Sequence, residues 1–200
     1  MARANWVKTT PSSGSGNATV NVSSFSEHTG RVVRTTILTW KAANVADVQR
    51  TVNQAGKPEY VDIADAASAD KAGKVVTISG VSNSKRLTFS LGTGDLQITL
   101  PTSYVANSLT TNNGQNISGD PGAVAEYAFS ITVTVPANTS TDEMARQLIV
   151  EDDGGHRDVC TIKSAAGDAY VTVQTGDIEL DYLGTPVAIS VQSNTSWTIE

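Results

Sequence analysis

Tyr127, Phe129, Ile131, Val133 and Val135 alternate with Ala128, Ser130, Thr132 and Thr134. A period of two with one apolar face is the pattern of a half-buried β-strand. Shorter runs of the same kind surround it. Val75–Ile78, Leu87–Phe89 and Leu96–Leu100 precede it, while Leu148–Val150 and Val159–Ile162 follow, flanking the hairpin signal Asp152-Asp-Gly-Gly-His156. Nearer the start, Trp6-Val7, Val20/Val22, Thr36/Leu38/Trp40 and Val48/Val52 are separated by turns rich in Gly, Ser, Asn and Pro. Toward the end, Ile178/Leu180/Tyr182, Val187/Ile189/Val191 and Trp197/Ile199 each put apolar side chains on one face. Strand starts about a dozen residues apart predict an all-β protein of sandwich type.

The pattern divides into two sandwich domains. One takes residues 74–175, with a long irregular excursion near 102–122. The other is divided between residues 1–56 and 176–200, with Val187, Ile189, Val191, Trp197 and Ile199 expected to close against Trp6, Val20 and Val22. That closure runs within one chain or onto a neighbouring copy; the remaining alternative is that the last stretch packs elsewhere. Residues 57–73, rich in Ala and Asp, read as an extended linker or one short helix. A repeat supports the division: Val76, Ile78, Ser82 and Asn83 recur at the spacing of Val187, Ile189, Ser193 and Asn194. Ala145–Val150 likewise echoes Val33–Leu38.

Composition narrows the function. The 200 residues carry a net charge of −6, which argues against the clustered Lys and Arg of a nucleic-acid footprint. A lone cysteine, Cys160, leaves no intrachain disulfide and alternates with Ile162 as a core residue. No run approaches the roughly 20 apolar residues of a membrane helix. The opening residues lack the apolar centre of a secretion signal, so the expectation is a protein retained in the producing cell or carried on a particle. If a signal has been removed, the cell surface or exterior is the alternative.

Catalysis has little support. His28 and His156 both fall in turns, without metal-ligand spacing to a second His or Glu. The acidic Glu151–Asp158 loop reads as a solvated hairpin tip rather than a cation site, and Gly14-Ser-Gly16 and Gly92-Thr-Gly94 as turn glycines. No enzyme activity, cofactor or metal is expected. Trp6, Trp40 and Trp197 are the residues able to stack on a sugar ring; Trp40, at a strand end, is the candidate glycan contact.

Gly184 and Ser193-Asn-Thr-Ser-Trp197, continued by Trp6, Pro11–Asn17, Arg34 and Val52–Gly56, resemble the BACON domain. This is an immunoglobulin-like sandwich of Bacteroidetes and of crAss-like phages infecting them. The resemblance covers about 80 residues in permuted order, and residues 74–175 depart from it by lacking Trp after Ser82-Asn83. It implies immunoglobulin-like domains in a virion-surface protein, a capsid decoration or head fibre, whose partners are other virion proteins or further copies of itself. The family also implies a carbohydrate-binding alternative, directed at host or mucin glycans.

Overall fold

The run from Tyr127 to Val135 forms the interior of a β-sandwich. The computed structural model describes residues 4–200. In chain order its strands are β1 (Val7–Thr10), β2 (Asn21–Ser24), β3 (Arg34–Trp40), β4 (Val48–Gln54), β5 (Val61–Ile63), β6 (Ala66–Ala69), β7 (Lys74–Ser82) and β8 (Leu87–Gly94). They continue with β9 (Ser103–Ala106), β10 (Leu109–Asn112), β11 (Tyr127–Val135), β12 (Met144–Asp152), β13 (Arg157–Ser164), β14 (Val171–Val173) and β15 (Val191–Ser193). A single 3-10 turn, Pro121–Ala123, interrupts them.

The central sandwich has two sheets, ordered β10-β9-β11-β7-β5 and β6-β13-β12-β8. The first is held by the nine-residue antiparallel ladder of β11 with β7, in which Ile131 faces Ile78 and Val133 faces Val76. Inward residues of the two sheets, including Ile78, Ile131, Phe89, Leu148, Cys160 and Ile162, make one continuous core. Burying each large apolar side chain contributes about 1.5–3 kcal/mol. Phe89 meets Tyr104 edge-on, with ring centroids 5.8 Å apart, and the Tyr104 hydroxyl accepts the Leu87 N–H.

The structure corrects the expected linker. Residues 57–73 hold β5, antiparallel to β7, and β6, parallel to β13. The chain crosses from one sheet to the other at Ala64-Asp65, where the Ala64 N–H bonds Ser79 and the Asp65 carbonyl accepts from Thr161. β6, Ala-Ala-Ser-Ala, carries almost no strand propensity, and β5, Val-Asp-Ile, is too short for its two β-branched residues to declare a strand. The excursion near 102–122 is also ordered. Asn107 and Ser108, both at positive φ, make the two-residue turn between β9 and β10, the geometry that matches strand twist in a tight hairpin. Ile117 anchors the remainder in the core.

A β-bulge between Arg146 and Leu148 offsets β12 against β8. Gly94 sits there at φ +135, where a side chain would collide with the Ala145 carbonyl. Asp95 accepts the Ala145 N–H, which holds its carboxyl below the ordinary carboxylate range. Asp153 is lowered chiefly by the Lys85 ammonium, and Asp181 by the hydroxyl and N–H of Thr185. Groups depressed in the folded state add stability above their unfolded values, near pH 4, and that contribution is lost as pH falls through the folded values. Thermal melts are therefore expected to hold steady from pH 7 to 5 and to fall below about pH 4. A melting temperature unchanged down to pH 3 contradicts this.

The remaining strands lie outside the sandwich in three two-stranded ladders, β1-β2, β3-β4 and β14-β15. Of the strands expected after residue 176, only Val191–Ser193 forms. Ile178, Leu180 and Tyr182 are exposed and outside any strand. Their alternation is sound, but among the described residues no strand pairs with them. Leu96–Leu100 likewise makes one bridge, Thr99 to Thr134, rather than a strand.

Candidate functional site

The two outer segments grip opposite poles of the sandwich through the same device. At the pole where β7 ends, Asn83 is fully buried. Its side-chain N–H groups reach the carbonyls of Thr29, Lys57 and Pro58 at 3.1–3.2 Å. Its oxygen accepts the Tyr60 N–H at 3.1 Å, and the adjacent Ser82 hydroxyl donates to the Tyr60 carbonyl at 2.7 Å. At the other pole, Asn194 donates to Thr139 and Asp168 and accepts from the Tyr170 N–H. Ser193 donates to the Tyr170 carbonyl at 2.8 Å.

The strand registers match as well. Val61 faces Ser82 and Ile63 faces Gly80 in β5-β7; Val171 faces Ser193 and Val173 faces Val191 in β14-β15. The β14-β15 hairpin thus reproduces the first two paired strands of the sandwich. Residues 4–56 reproduce part of its later half. Buried His28 bonds the carbonyl four residues on, Val32, at 2.7 Å, where buried Asn138 donates to Asp142. The β3-β4 hairpin, Arg34 facing Gln54, takes the place of β12-β13, Met144 facing Ser164. This sets Leu38 over Leu148 and shifts the sequence echo of Val33–Leu38 with Ala145–Val150 by two residues.

The N-terminal segment is fixed to its pole by backbone and charge. Arg31 and Val32 donate their N–H groups to Gly122 and Ala123. The Arg31 guanidinium makes a two-pronged pair with Asp120 and reaches the Asn83 carbonyl at 3.1 Å. Asp120 holds the guanidinium pKa above its ordinary value. Nothing in the hydropathy pattern marks the Arg31–Asp120 pair, because its partners lie far apart in sequence. The recurring Ser-Asn dipeptide does mark the clasp.

The residues expected to close a sandwich do not meet within this chain. Val187, Ile189, Trp197 and Ile199 are 49%, 39%, 48% and 84% exposed, and Val191 is half-buried. Val22, 42% exposed, and half-buried Trp6 and Val20 belong to the other pole. Among the described residues no strand of the N-terminal segment pairs with one of the C-terminal segment. The poles stand apart by the length of β11, about 27 Å at 3.4 Å per residue. Between β1-β2 and β3-β4 lies an open cleft of about 580 Å³, lined by Thr9, Val20, Ile37, Leu38 and Trp40 among others. Arg34 stacks on Trp6, 4.6 Å from the ring centroid.

Residues with chemical potential are engaged structurally. Asp152 accepts from His156 at 2.9 Å, Asp153 pairs with Lys85 and Arg86, and Asp158 caps the Ile63 N–H at 2.8 Å. Glu151 pairs with Arg157. Among the described residues no three His, Cys, Asp or Glu side chains are grouped to hold a metal ion. Cys160 is buried, and burial pushes its thiol up to about 11.

The fold defines an all-β sandwich protein with no helix long and apolar enough to cross a membrane among the described residues. No protein-family model matches the chain. No curated protein matches it. Among solved structures it is similar to a Bacteroides ovatus GH5 xyloglucanase in complex with a XXXG heptasaccharide, at 15% identity and a TM-score of 0.34. The match covers 56% of this chain and 20% of that one. A likeness this slight does not bear on function.

Proposed function

We propose that the chain is a non-catalytic structural protein that works through protein–protein contacts along its exposed strand faces. The observation that carries this is the pair of apolar surfaces at its two ends. Val22, Ile37, Trp40 and Val48 stand exposed in one segment, and Val171, Val173, Val187, Ile189 and Trp197 in the other. Large exposed apolar side chains gathered in one segment mark a site for another chain. The setting that the BACON-like residues imply is a phage virion surface, as a capsid decoration or head fibre protein with other virion proteins as partners. The chain is then expected to migrate with assembled particles through a density gradient and to show no saturable polysaccharide binding.

The cleft favours one second reading, a carbohydrate-binding module. Trp40 stands beside Ser12, Ser13, Thr39 and Lys41 there, an aromatic face with hydroxyls as a sugar site requires. Saturable mucin or capsular polysaccharide binding, abolished by Trp40→Ala and without a particle-bound pool, replaces the structural reading with this one.

A further inference from the structure

Resting on that structural reading, we propose that the partner is a second copy of this chain, whose C-terminal segment completes the N-terminal segment of the next. In the central sandwich β11 is paired on one side by β7 and on the other by β9 and Thr99. Among the described residues its counterpart β2 is paired by β1 and by no other strand. The open side of β2 calls for the counterpart of β7, and that counterpart is the stretch 185–193, 111 residues on from β7. Ser82-Asn83 and Ser193-Asn194 fix this alignment through their identical hydrogen bonds.

The register follows. Val7 is buried and faces Ser24, while Thr9 faces Val22, which places Val22, Ser24 and Val20 on the inward face of β2. Inward-facing Val133 and Ile131 are set over inward-facing Val22 and Val20, a one-residue step from the spacing that sets Asn138 over His28. Transferring the β11-β7 pairs, Val133 with Val76 and Ile131 with Ile78, then puts Val22 opposite Val187 and Val20 opposite Ile189. The exposed apolar side chains of both segments then share one interior, beside the cleft that Leu38 and Trp40 line.

Charge selects the same partner. Residues 1–57 carry seven Lys and Arg against two Asp and Glu, a net of +5, whereas residues 168–200 carry five Asp and Glu and no Lys or Arg, a net of −5. Each segment repels its own kind and attracts the other, so the contact is head to tail. With the segments at opposite poles, such a contact is heterologous and builds rings or filaments rather than a closed dimer.

The test uses full-length chains in two differently tagged single variants, Val22→Cys and Val187→Cys, mixed under mild oxidation. Directly opposed strand residues bring their Cβ atoms to about 4.5–5.5 Å, near bonding range. The proposal expects a mixed disulfide between the two tags, at least fivefold above the Val22→Cys and Ala188→Cys mixture, whose side chains point to opposite faces. Its yield is expected to fall as NaCl rises from 50 mM to 1 M, as screening weakens the charge attraction. Equal yields from both mixtures, or no mixed disulfide while each cysteine remains reactive to maleimide, overturns it. If the chain still migrates with particles after that result, the structural reading stands and only the choice of partner fails.

Discussion

Asn83→Ala is expected to lower the melting temperature of the central sandwich by roughly 10–15 °C, corresponding to about 3 kcal/mol. The side chain is fully buried and joins Thr29, Lys57, Pro58 and Tyr60 in one network. Alanine removes all those partners at once, leaving the Tyr60 N–H and three carbonyls to find water or stay unpaired. Each buried polar group so stranded costs about 1–3 kcal/mol. Asn194→Ala removes the corresponding bonds at the other pole, where the segment is exposed and water takes its place. Its expected effect on the same melt is below about 0.5 kcal/mol. Calorimetry on both variants decides the matter, and equal shifts refute the ranking.

Leu148→Ala and Leu38→Ala give the second large contrast. Leu148 is fully buried between sheets, and its truncation is expected to cost about 3–4 kcal/mol, within the range for cavities that cannot collapse. Leu38 holds the corresponding place on β3 but lines the open cleft. Leu38 is itself buried, 6% exposed, but stands outside the continuous core, so in dilute solution its truncation is expected to cost less than that of Leu148. Once a second copy fills the cleft, the two costs converge. Urea unfolding at low and high protein concentration measures this; a Leu38→Ala cost that is independent of concentration speaks against the filled cleft.

The sandwich was legible wherever side chains alternate strongly. Tyr127–Val135 and Val75–Ile78 announce a paired interior, and Cys160 beside Ile162 is core. Asp152–His156 announces its hairpin. The strands at 61–63 and 66–69 were not legible, because their pairing is set by edges elsewhere in the fold, Val61 and Ile63 make too short a run, and the alanines of 66–69 add no local preference. The opposite error arose at Ile178–Tyr182, where alternation is clear but an alternating segment remains irregular without an edge to pair with. As for the candidate interface, repetition of Ser-Asn with Val and Ile upstream linked the C-terminal stretch to the opening strands of the central sandwich. Where the two ends sit is a three-dimensional fact. The Asn83 and Asn194 clasps hold them at opposite poles, which separates the two halves within a single copy.

Hydrogen–deuterium exchange of the full-length chain at two protein concentrations puts head-to-tail completion to the most direct test. As concentration rises, amides in residues 18–24 and 185–193 are predicted to gain protection together, while those of β11 and β12 stay unchanged. Exchange in both stretches that is fast and the same at every concentration contradicts the account.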